Sequence, residues 1–515
     1  MKINLSKSAN SLQSKIFVIA VFVCLILRLG ANANNLTVSN STLTGKNTTS
    51  HYVMVQFDVS WENSWRTSTA PSNWDAVWVF VKYRVAGGAW QHATLNTTGY
   101  TAPTGSAISV TSDGKGAFVY RNANGTGSNS WTGAQLRWNY GVNGVSDAAV
   151  VDILVYGVEM VYVPAGAFSL GSGASTEYGA FYKSPTNTVP YSVTSEAAIS
   201  VGTTANYLYY GNYSPFCGDR LGPIPAAFPK GYNAFYCMKY EITQQEYVDF
   251  LNCLTYTQQS TRTVDAVQTK APNSAAGTYL YYAYPSRFKI KIATSGTNSS
   301  VPAIYATDNP YVAHNYLSWA DLAAYLDWSG LRPMTELEFE KACRGPNTPV
   351  ANEYAWGSTS LTQNTGITNS GLINETSTNG GNCTYGNSPY VGGPMRVGAF
   401  ATASTSRVQA GATYYGVMEM SGNLNERPVT VGNSQGRAFT GLHGDGVLAT
   451  NGDANVTYWP APTSGLGAGF RGGSWKGETL NDNSYGLKVS NRSDAAYDDY
   501  FRYKDCGGRG VRLAP

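Results

Sequence analysis

The chain has 515 residues, 13% of them charged, and a formal net charge of +3, so neither sign of charge accumulates. This balance argues against a polybasic nucleic-acid-binding protein, and we expect no nucleic-acid partner. The 43% content of hydrophobic residues argues against intrinsic disorder. With 55 Gly and 37 Tyr, the composition is typical of an exported protein of loops and short strands, long enough for two or three domains.

The first 33 residues have the pattern of a signal peptide. Basic residues precede the apolar run Ile16–Leu27, and Ala31 and Ala33 supply the small side chains that a signal peptidase requires. The run is shorter than the roughly 20 residues that a membrane-spanning helix needs. No later stretch is long and apolar enough, so we expect a mature chain without a transmembrane span. Export would place it at the cell surface, in the extracellular space or in the periplasm.

Six cysteines follow the predicted signal peptide: Cys217, Cys237, Cys253, Cys343, Cys383 and Cys506. No two of them have the CxxC spacing of a zinc ribbon or a thioredoxin-like motif. Six cysteines allow many disulfide pairings, among which the sequence does not choose. The four histidines include no HExxH motif and no close pair, so we expect no His-ligated catalytic metal.

Residues 34–158 are predicted to form strands throughout. Runs of β-branched and aromatic residues occupy 52–61, 76–85, 117–120 and 148–155, and turns rich in Gly, Asn, Ser and Thr separate them. Short strands in this pattern are typical of a β-sandwich. We therefore predict an all-β sandwich domain over residues 34–158 that folds on its own.

After the predicted sandwich, the pattern changes to α+β. Thr243, Ser318 and Thr335 are each suited to cap the start of a helix, and Glu246 and Glu338 would complete capping boxes for the first and third helices. Long stretches rich in Gly, Asn, Ser and Thr lie between and after these helices without hydrophobic periodicity. The second part of the chain is therefore predicted to have few helices and long loops.

A series of motifs runs through this second part. In chain order they are Met160–Phe168, Tyr240–Tyr247, Leu317–Trp328, Arg332–Glu340, Ala342–Gly345, Tyr354–Gly357, Gly416–Asn423, Phe470–Trp475 and Gly510–Arg512. Together they resemble the formylglycine-generating enzyme (sulfatase-modifying factor) family, a branch of the C-type-lectin fold. The resemblance implies an α+β domain of that type over residues 159–515, and it does not extend to the predicted sandwich.

Cysteines of that family are replaced at several positions. The resemblance implies that catalytic members bind Cu(I) through two thiolates, which align with Thr479 and Ser484. A hydroxyl is a hard ligand that stays protonated near neutral pH, so we expect no copper and no formylglycine-generating oxidase activity. One family disulfide aligns with Leu326 and Leu513, which implies a leucine pair packed in the core. Cys343 aligns with another disulfide position, and it is expected to be a free buried thiol or to pair elsewhere.

Calcium is the cofactor that the resemblance implies. Family members bind structural Ca²⁺ through an Asn and a Glu that follow a Gly-Asn turn, and Asn423 and Glu426 match those positions. Ca²⁺ takes six to eight oxygen ligands, which backbone carbonyls of the long loops could complete. The alternative is a hydrogen-bonded turn without an ion.

The C-terminal segment is dense in Tyr, Asp, Asn and Ser, a mixture that suits recognition surfaces. It resembles the variable region of diversity-generating-retroelement target proteins. Arg471, Arg492 and Arg512 are expected to hold this segment through buried carboxylates or carbonyls. The predicted ligand-binding residues are Tyr485, Asp494, Tyr497, Asp499, Tyr500, Tyr503 and Asp505.

The favoured function is a secreted, non-catalytic binding or surface-display protein whose ligand is a protein or glycan at the cell exterior. One alternative is an enzyme of the sulfatase-modifying-factor superfamily with a different active site, which a cleft of convergent ionisable groups would support. Another is a structural component of an extracellular sheath or matrix, which would self-associate through exposed strand edges.

Overall fold

The computed structural model describes residues 35–211, 213–264, 270–281, 287–386, 391–476 and 485–515. The predicted signal peptide lies outside these residues and stays a prediction. The strands are β1 Thr37–Asn47, β2 Tyr52–Arg66, β3 Asp75–Val85, β4 Gln91–His92, β5 Ser106–Val110, β6 Ala117–Arg121, β7 Gly125–Trp138, β8 Val151–Val163, β9 Phe168–Leu170, β10 Phe181–Lys183, β11 Tyr191–Val193, β12 Leu208–Tyr210, β13 Phe235–Met238, β14 Ile290–Thr294, β15 Ile304–Thr307, β16 Arg332–Pro333, β17 Ile367–Thr368, β18 Thr376–Ser377 and β19 Gly510–Leu513. The described α-helices are α1 Gln244–Leu251, α2 Tyr256–Thr263, α3 Trp319–Trp328, α4 Glu336–Arg344 and α5 Ser434–Arg437.

Two sheets face each other in the N-terminal third of the chain. A three-stranded sheet in the order β1-β2-β7 packs on part of an eight-stranded sheet, in which β16-β19-β13-β8-β3-β6-β5 follow one another and β4 pairs with β3. Every second side chain of β2 from Val53 to Trp61 is buried, and Val77, Val79 and Val81 of β3 belong to the same apolar core. The alternation that predicted these strands thus buries one face of each, and the predicted β-sandwich is confirmed.

The eight-stranded sheet continues from the sandwich into the second part of the chain. β8 crosses the predicted boundary between residues 158 and 159, because it pairs with β3 on one side and with β13 on the other. Trp78 and Phe80 of β3 are buried in the core of the second part, and the indole N–H of Trp78 donates to the carbonyl oxygen of Ser329 at 2.8 Å. By their backbone contacts, the described residues from Asn35 to Pro515 form one unit. Independent folding of residues 34–158 stays a prediction.

Three helices begin where the sequence predicts them. Thr243, Ser318 and Thr335 are the N-caps of α1, α3 and α4, and each forms both hydrogen bonds of a capping box. α4 ends at Gly345, which adopts the left-handed φ of 64°. α2 was not predicted, because its sequence YTQQSTRT has almost no apolar stripe, although Thr255 caps it in the same way. The expected α+β domain with few helices and long loops is confirmed.

Two expectations about replaced cysteines have different outcomes. Leu326 is buried, but Leu513 is 44% exposed, so the predicted leucine pair in the core is wrong. Leu513 is the last residue of β19, where that strand reaches the surface. All six described cysteines are free and buried, so Cys343 is a free buried thiol.

No helix in the described part of the chain is long and apolar enough to cross a membrane.

Candidate functional site

Three aromatic side chains of the segment Asp494–Asp505, here called the recognition segment, are exposed next to one another. Tyr500 is 46%, Phe501 54% and Tyr503 42% exposed. The rings of Tyr500 and Phe501 stack with their centroids 4.5 Å apart, and Phe501 meets the edge of Tyr503 at 6.3 Å. We call these three residues the aromatic cluster. The sequence analysis predicted both tyrosines but missed Phe501, which the adjacent Tyr500 could have indicated.

Asp499 fixes the local conformation of the cluster. Its Oδ1 accepts the backbone N–H of Phe501 at 2.8 Å, and its Oδ2 accepts the hydroxyl of Tyr503 at 2.9 Å. Partial burial and the bond to Asp499 raise the pKa of Tyr503 to about 12, so the phenol is a neutral donor at physiological pH. Asp499, predicted as a ligand contact, therefore orders the aromatic cluster from within.

Arg427 holds the backbone on both sides of Tyr500. It donates from Nη1 to the carbonyl oxygen of Asp499 at 2.6 Å and from Nη2 to that of Phe501 at 2.9 Å. The guanidinium is buried, and its carbon lies 4.3 Å from the ring centroid of Phe470. These contacts stabilise the peptide units that carry the exposed rings.

Arg502 holds the same segment from a second direction. Its Nε and Nη2 donate to the carboxylate of Asp321 at 2.6 and 2.8 Å, in the bidentate geometry that makes such pairs strong. Burial alone would raise the pKa of Asp321, but Arg502 and Arg262 lower it to about 2. The recognition segment is therefore tied to the start of α3, where Asp321 belongs to the capping box.

The other predicted ligand residues lie beside the cluster. Tyr497 is half-buried, and its ring centroid is 4.4 Å from that of the exposed Phe216. Asp494 and Asp505 bound the segment, and the carbonyl oxygen of each accepts a backbone N–H at 2.9 Å. The side chain of Tyr485 lies outside the described part of the structure.

Arg471 and Arg492 have the buried carboxylate partner that the sequence analysis expects, and Arg512 donates to the buried carbonyl oxygen of Gly330 and pairs with a partly exposed carboxylate. Arg471 and Arg492 share the carboxylate of Glu336 in α4, at N–O distances of 2.8 and 2.7 Å, with all three side chains fully buried. Arg512 pairs with Asp113 of the sandwich at 2.5 Å. The predicted framework role is confirmed, because these pairs tie both flanks of the recognition segment to the rest of the chain.

Comparison with known families explains this architecture. Residues 156–513 match the sulfatase-modifying factor enzyme 1-like domain, a range of 358 of the 515 residues. The chain belongs to this family. No curated protein matches the chain. The match begins within β8, so the sulfatase-modifying-factor-like domain shares that strand with the sandwich.

The two positions that align with the family's copper ligands lie outside the described residues of the sulfatase-modifying-factor-like domain. They are Thr479 and Ser484, so the absence of copper chemistry stays a prediction. Elsewhere, in the residues that the structure describes, no group of three or more His, Cys, Asp or Glu is placed to hold a metal ion.

The two side chains predicted to bind calcium already have protein partners. Glu426 accepts Nε–H of Arg509 with both carboxylate oxygens, at 2.8 and 2.9 Å, and Oε1 lies 2.7 Å from Nη2. Oδ1 of Asn423 accepts the backbone N–H of Met395 at 2.8 Å, and its Nδ2 donates to Glu241. As placed, these residues fit the hydrogen-bonded turn and do not fit a calcium site, because a guanidinium occupies the carboxylate that the cation would need.

A cavity of about 380 Å³ brings ionisable groups together between β1, β8 and α1. Glu159, Tyr240, Glu246, Asp249 and Arg396 line it, together with apolar side chains. Burial raises the pKa of Glu246 to about 7 and that of Asp249 to about 6. Carboxyl groups with such pKa values can act as general acids or bases near neutral pH. This is the kind of cleft that the enzyme alternative requires.

Proposed function

We propose that the protein is an exported, non-catalytic binding or surface-display protein and that the recognition segment is its binding surface. The observation that carries this proposal is the aromatic cluster, which exposes three rings on a backbone held by buried arginines. Aromatic rings supply large contact area at a low cost in conformational entropy. A backbone already fixed before binding lowers that cost further.

The surface supports a protein or glycan ligand at the cell exterior. The rings of the cluster give apolar faces, while Asp498 is exposed beside them and adds a carboxylate. The basic side chains of the segment are less available, since Arg502 is paired with Asp321 and the Nζ of Lys504 lies 5.6 Å from the ring of Trp475. Partners with basic or hydroxyl-rich surfaces fit this combination best.

The test compares the wild type with a triple variant, Tyr500→Ala, Phe501→Ala and Tyr503→Ala. Both are applied to a glycan array and to surface proteins extracted from the producing cells, with mass spectrometry to identify captured proteins. Each identified ligand is then purified and titrated calorimetrically. Hot-spot aromatic residues contribute about 2 kcal/mol or more each, so the variant should lose at least about thirtyfold in affinity.

The matched control replaces two exposed tyrosines outside the segment, Tyr207→Ala and Tyr458→Ala, which are 38% and 63% exposed in the wild type. This control should bind like the wild type. A ligand that binds the triple variant with unchanged affinity would show that the recognition segment is not its site. Failure of both probe sets to yield any ligand would count against a binding function at the cell exterior.

The second candidate is an enzyme whose active site is the cavity lined by Glu159, Glu246 and Asp249. The observation in its favour is the convergence of three carboxyl groups, of which Glu246 and Asp249 have pKa values raised by burial. The test screens chromogenic esters and glycosides with wild type and with Glu246→Gln, since Gln still completes the capping box of α1. Turnover that disappears in this variant supports the enzyme, and turnover that persists excludes Glu246 as its acid or base.

A further inference from the structure

A second cavity, of about 430 Å³, lies where the sandwich meets the helices of the sulfatase-modifying-factor-like domain. Strands β3 and β4 contribute Lys82 and His92, and the second part of the chain contributes Cys253, Trp328 and Gly446. Its volume is in the range of small-molecule sites. None of its lining residues belongs to the recognition segment, so it is independent of the proposed binding function.

Among the described residues, the buried amine of Lys82 forms hydrogen bonds only with backbone carbonyl groups. Its side chain is almost fully buried, and Nζ donates to the carbonyl oxygens of Trp328 at 2.6 Å and of Gly446 at 3.0 Å. A neutral amine has two N–H bonds, and two carbonyl acceptors use both of them. The nitrogen lone pair then points away from both partners. The bond to Trp328 joins Lys82 to the last residue of α3, and the two bonds together fix the position of the nitrogen.

The surroundings favour the neutral amine. Burial lowers the pKa of Lys82 to about 7, and the positive charge of Lys115 acts in the same direction. Cys253, Asp327 and Asp445 oppose this shift from the other elements packed around the amine. A lysine with the ordinary pKa near 10.4 is only about 0.1% neutral at pH 7.5, so this amine is far more nucleophilic than a surface lysine.

His92 supplies a base next to this amine. It lies directly opposite Lys82 in the β3–β4 ladder. Its Nε2 is 2.7 Å from the carbonyl oxygen of Lys115, which can only accept, so Nε2 carries the proton. Nδ1 is therefore unprotonated and carries a lone pair. This atom is buried and has no hydrogen-bond partner among the described residues. Burial holds the pKa of His92 well below its ordinary value, so the imidazole stays neutral and its Nδ1 is free to relay a proton.

We propose that this cavity binds a small aldehyde or ketone, which Lys82 captures reversibly as an imine. The amine nitrogen attacks the carbonyl carbon, and Nδ1 of His92 takes one proton from nitrogen and passes it to the alkoxide oxygen, which gives the neutral carbinolamine. The second N–H proton follows the same route to the hydroxyl group, so both amine protons leave with the oxygen as water while the carbon–nitrogen double bond forms. One carbonyl compound and one amine thus give one imine and one water, without an oxidant or reductant. Trp90 and Trp328 provide apolar walls for the body of the ligand.

The experiment traps the imine chemically. Purified full-length protein is incubated with benzaldehyde and sodium cyanoborohydride at pH 7.5, and the alkylated lysines are identified by peptide mass spectrometry. Lys82 should be alkylated at least tenfold faster than the exposed Lys183, with a rate that saturates as benzaldehyde increases. The rate at Lys82 should follow a titration centred near pH 7, whereas alkylation of a typical surface lysine keeps rising up to about pH 10.

Two variants separate capture from a purely structural role. Lys291→Arg, a conservative change in β14 outside the cavity, should leave alkylation of Lys82 unchanged. His92→Gln should slow that alkylation several-fold without abolishing it, because Gln removes the base. Alkylation of Lys82 no faster than that of Lys183, or without saturation, would overturn the proposal. So would a rate at Lys82 that shows no midpoint below pH 9.

Discussion

Replacing Arg502 by alanine tests how the recognition segment is held. The guanidinium makes two bonds to Asp321, at 2.6 and 2.8 Å, and two to the carbonyl oxygens of Thr261 and Val264, at 2.9 and 2.7 Å. Removing one partner of a buried ion pair typically costs about 3–5 kcal/mol, because the other charge stays buried. Asp321 keeps Arg262 at 3.2 Å. We therefore expect Arg502→Ala to cost about 3 kcal/mol in the free energy of unfolding, at the low end of that range.

The assay is urea denaturation followed by tryptophan fluorescence, with Tyr500→Ala as the matched control. That tyrosine is 46% exposed, so its loss should cost less than about 0.5 kcal/mol. Hydrogen exchange in residues 494–505 should speed up in Arg502→Ala and not in the control. If the two variants have the same urea midpoint and the same exchange rates, the ion pair with Asp321 does not hold the segment.

The same ion pair gives an acid dependence with a definite sign. Arg502 and Arg262 hold the pKa of Asp321 at about 2, below the value near 3.9 of an unfolded chain. The stabilisation is therefore complete above about pH 5 and is lost as the pH falls toward 2. Arg502→Ala should lose less stability than the wild type between pH 5 and pH 3, and equal losses would contradict the assignment.

Three further predictions concern other parts of the chain. Adding millimolar Ca²⁺ or EDTA should leave the melting temperature unchanged, because Arg509 already binds the carboxylate of Glu426. A rise of several degrees with Ca²⁺ would reveal a calcium site. The sequence predicts that residues 34–158 fold alone. The core shared with the second part of the chain predicts instead that this fragment exposes Trp78 and Phe80 and aggregates. A dispersed NMR spectrum of a monomeric fragment would support independent folding. Burial raises the pKa of Glu419 to about 7, so this group costs stability as the pH rises from about 4 to 7. Glu419→Gln should flatten that decline in the urea midpoint, and an unchanged slope would refute it.

Elements with a local physical cause could be predicted from the sequence. Capping boxes at Thr243 and Thr335 need only residues three positions apart, and the alternation in β2 needs only a period of two. The predicted boundary at 158/159 has no such local cause, since it rests on a change in composition. The structure pairs β8 with strands on both sides of that change, and no local signal in residues 151–163 indicates a strand shared in this way.

The anchors of the recognition segment could not be predicted, because their partners are distant in sequence. The carbonyl groups that bind Arg427 lie 72 and 74 residues further on, and the carboxylate that binds Arg502 lies 181 residues earlier. Composition indicates an exposed surface but not which polar side chains bond within it, so it predicts Asp499 as a ligand contact although its carboxylate binds Phe501 and Tyr503.

The backbone of the recognition segment and its exposed side chains have separate roles, since buried arginines hold the first and the second face solvent. Arg427 binds carbonyl groups of the recognition segment, and every residue type has a carbonyl group. Tyr500 and Tyr503 therefore need not be aromatic for the backbone to keep its path, although Tyr503 adds a bond to Asp499. Substitutions at these exposed positions should then change the ligand while leaving the fold in place. The bonds from Arg427 thus make the path of this backbone independent of the side chains at positions 500 and 503.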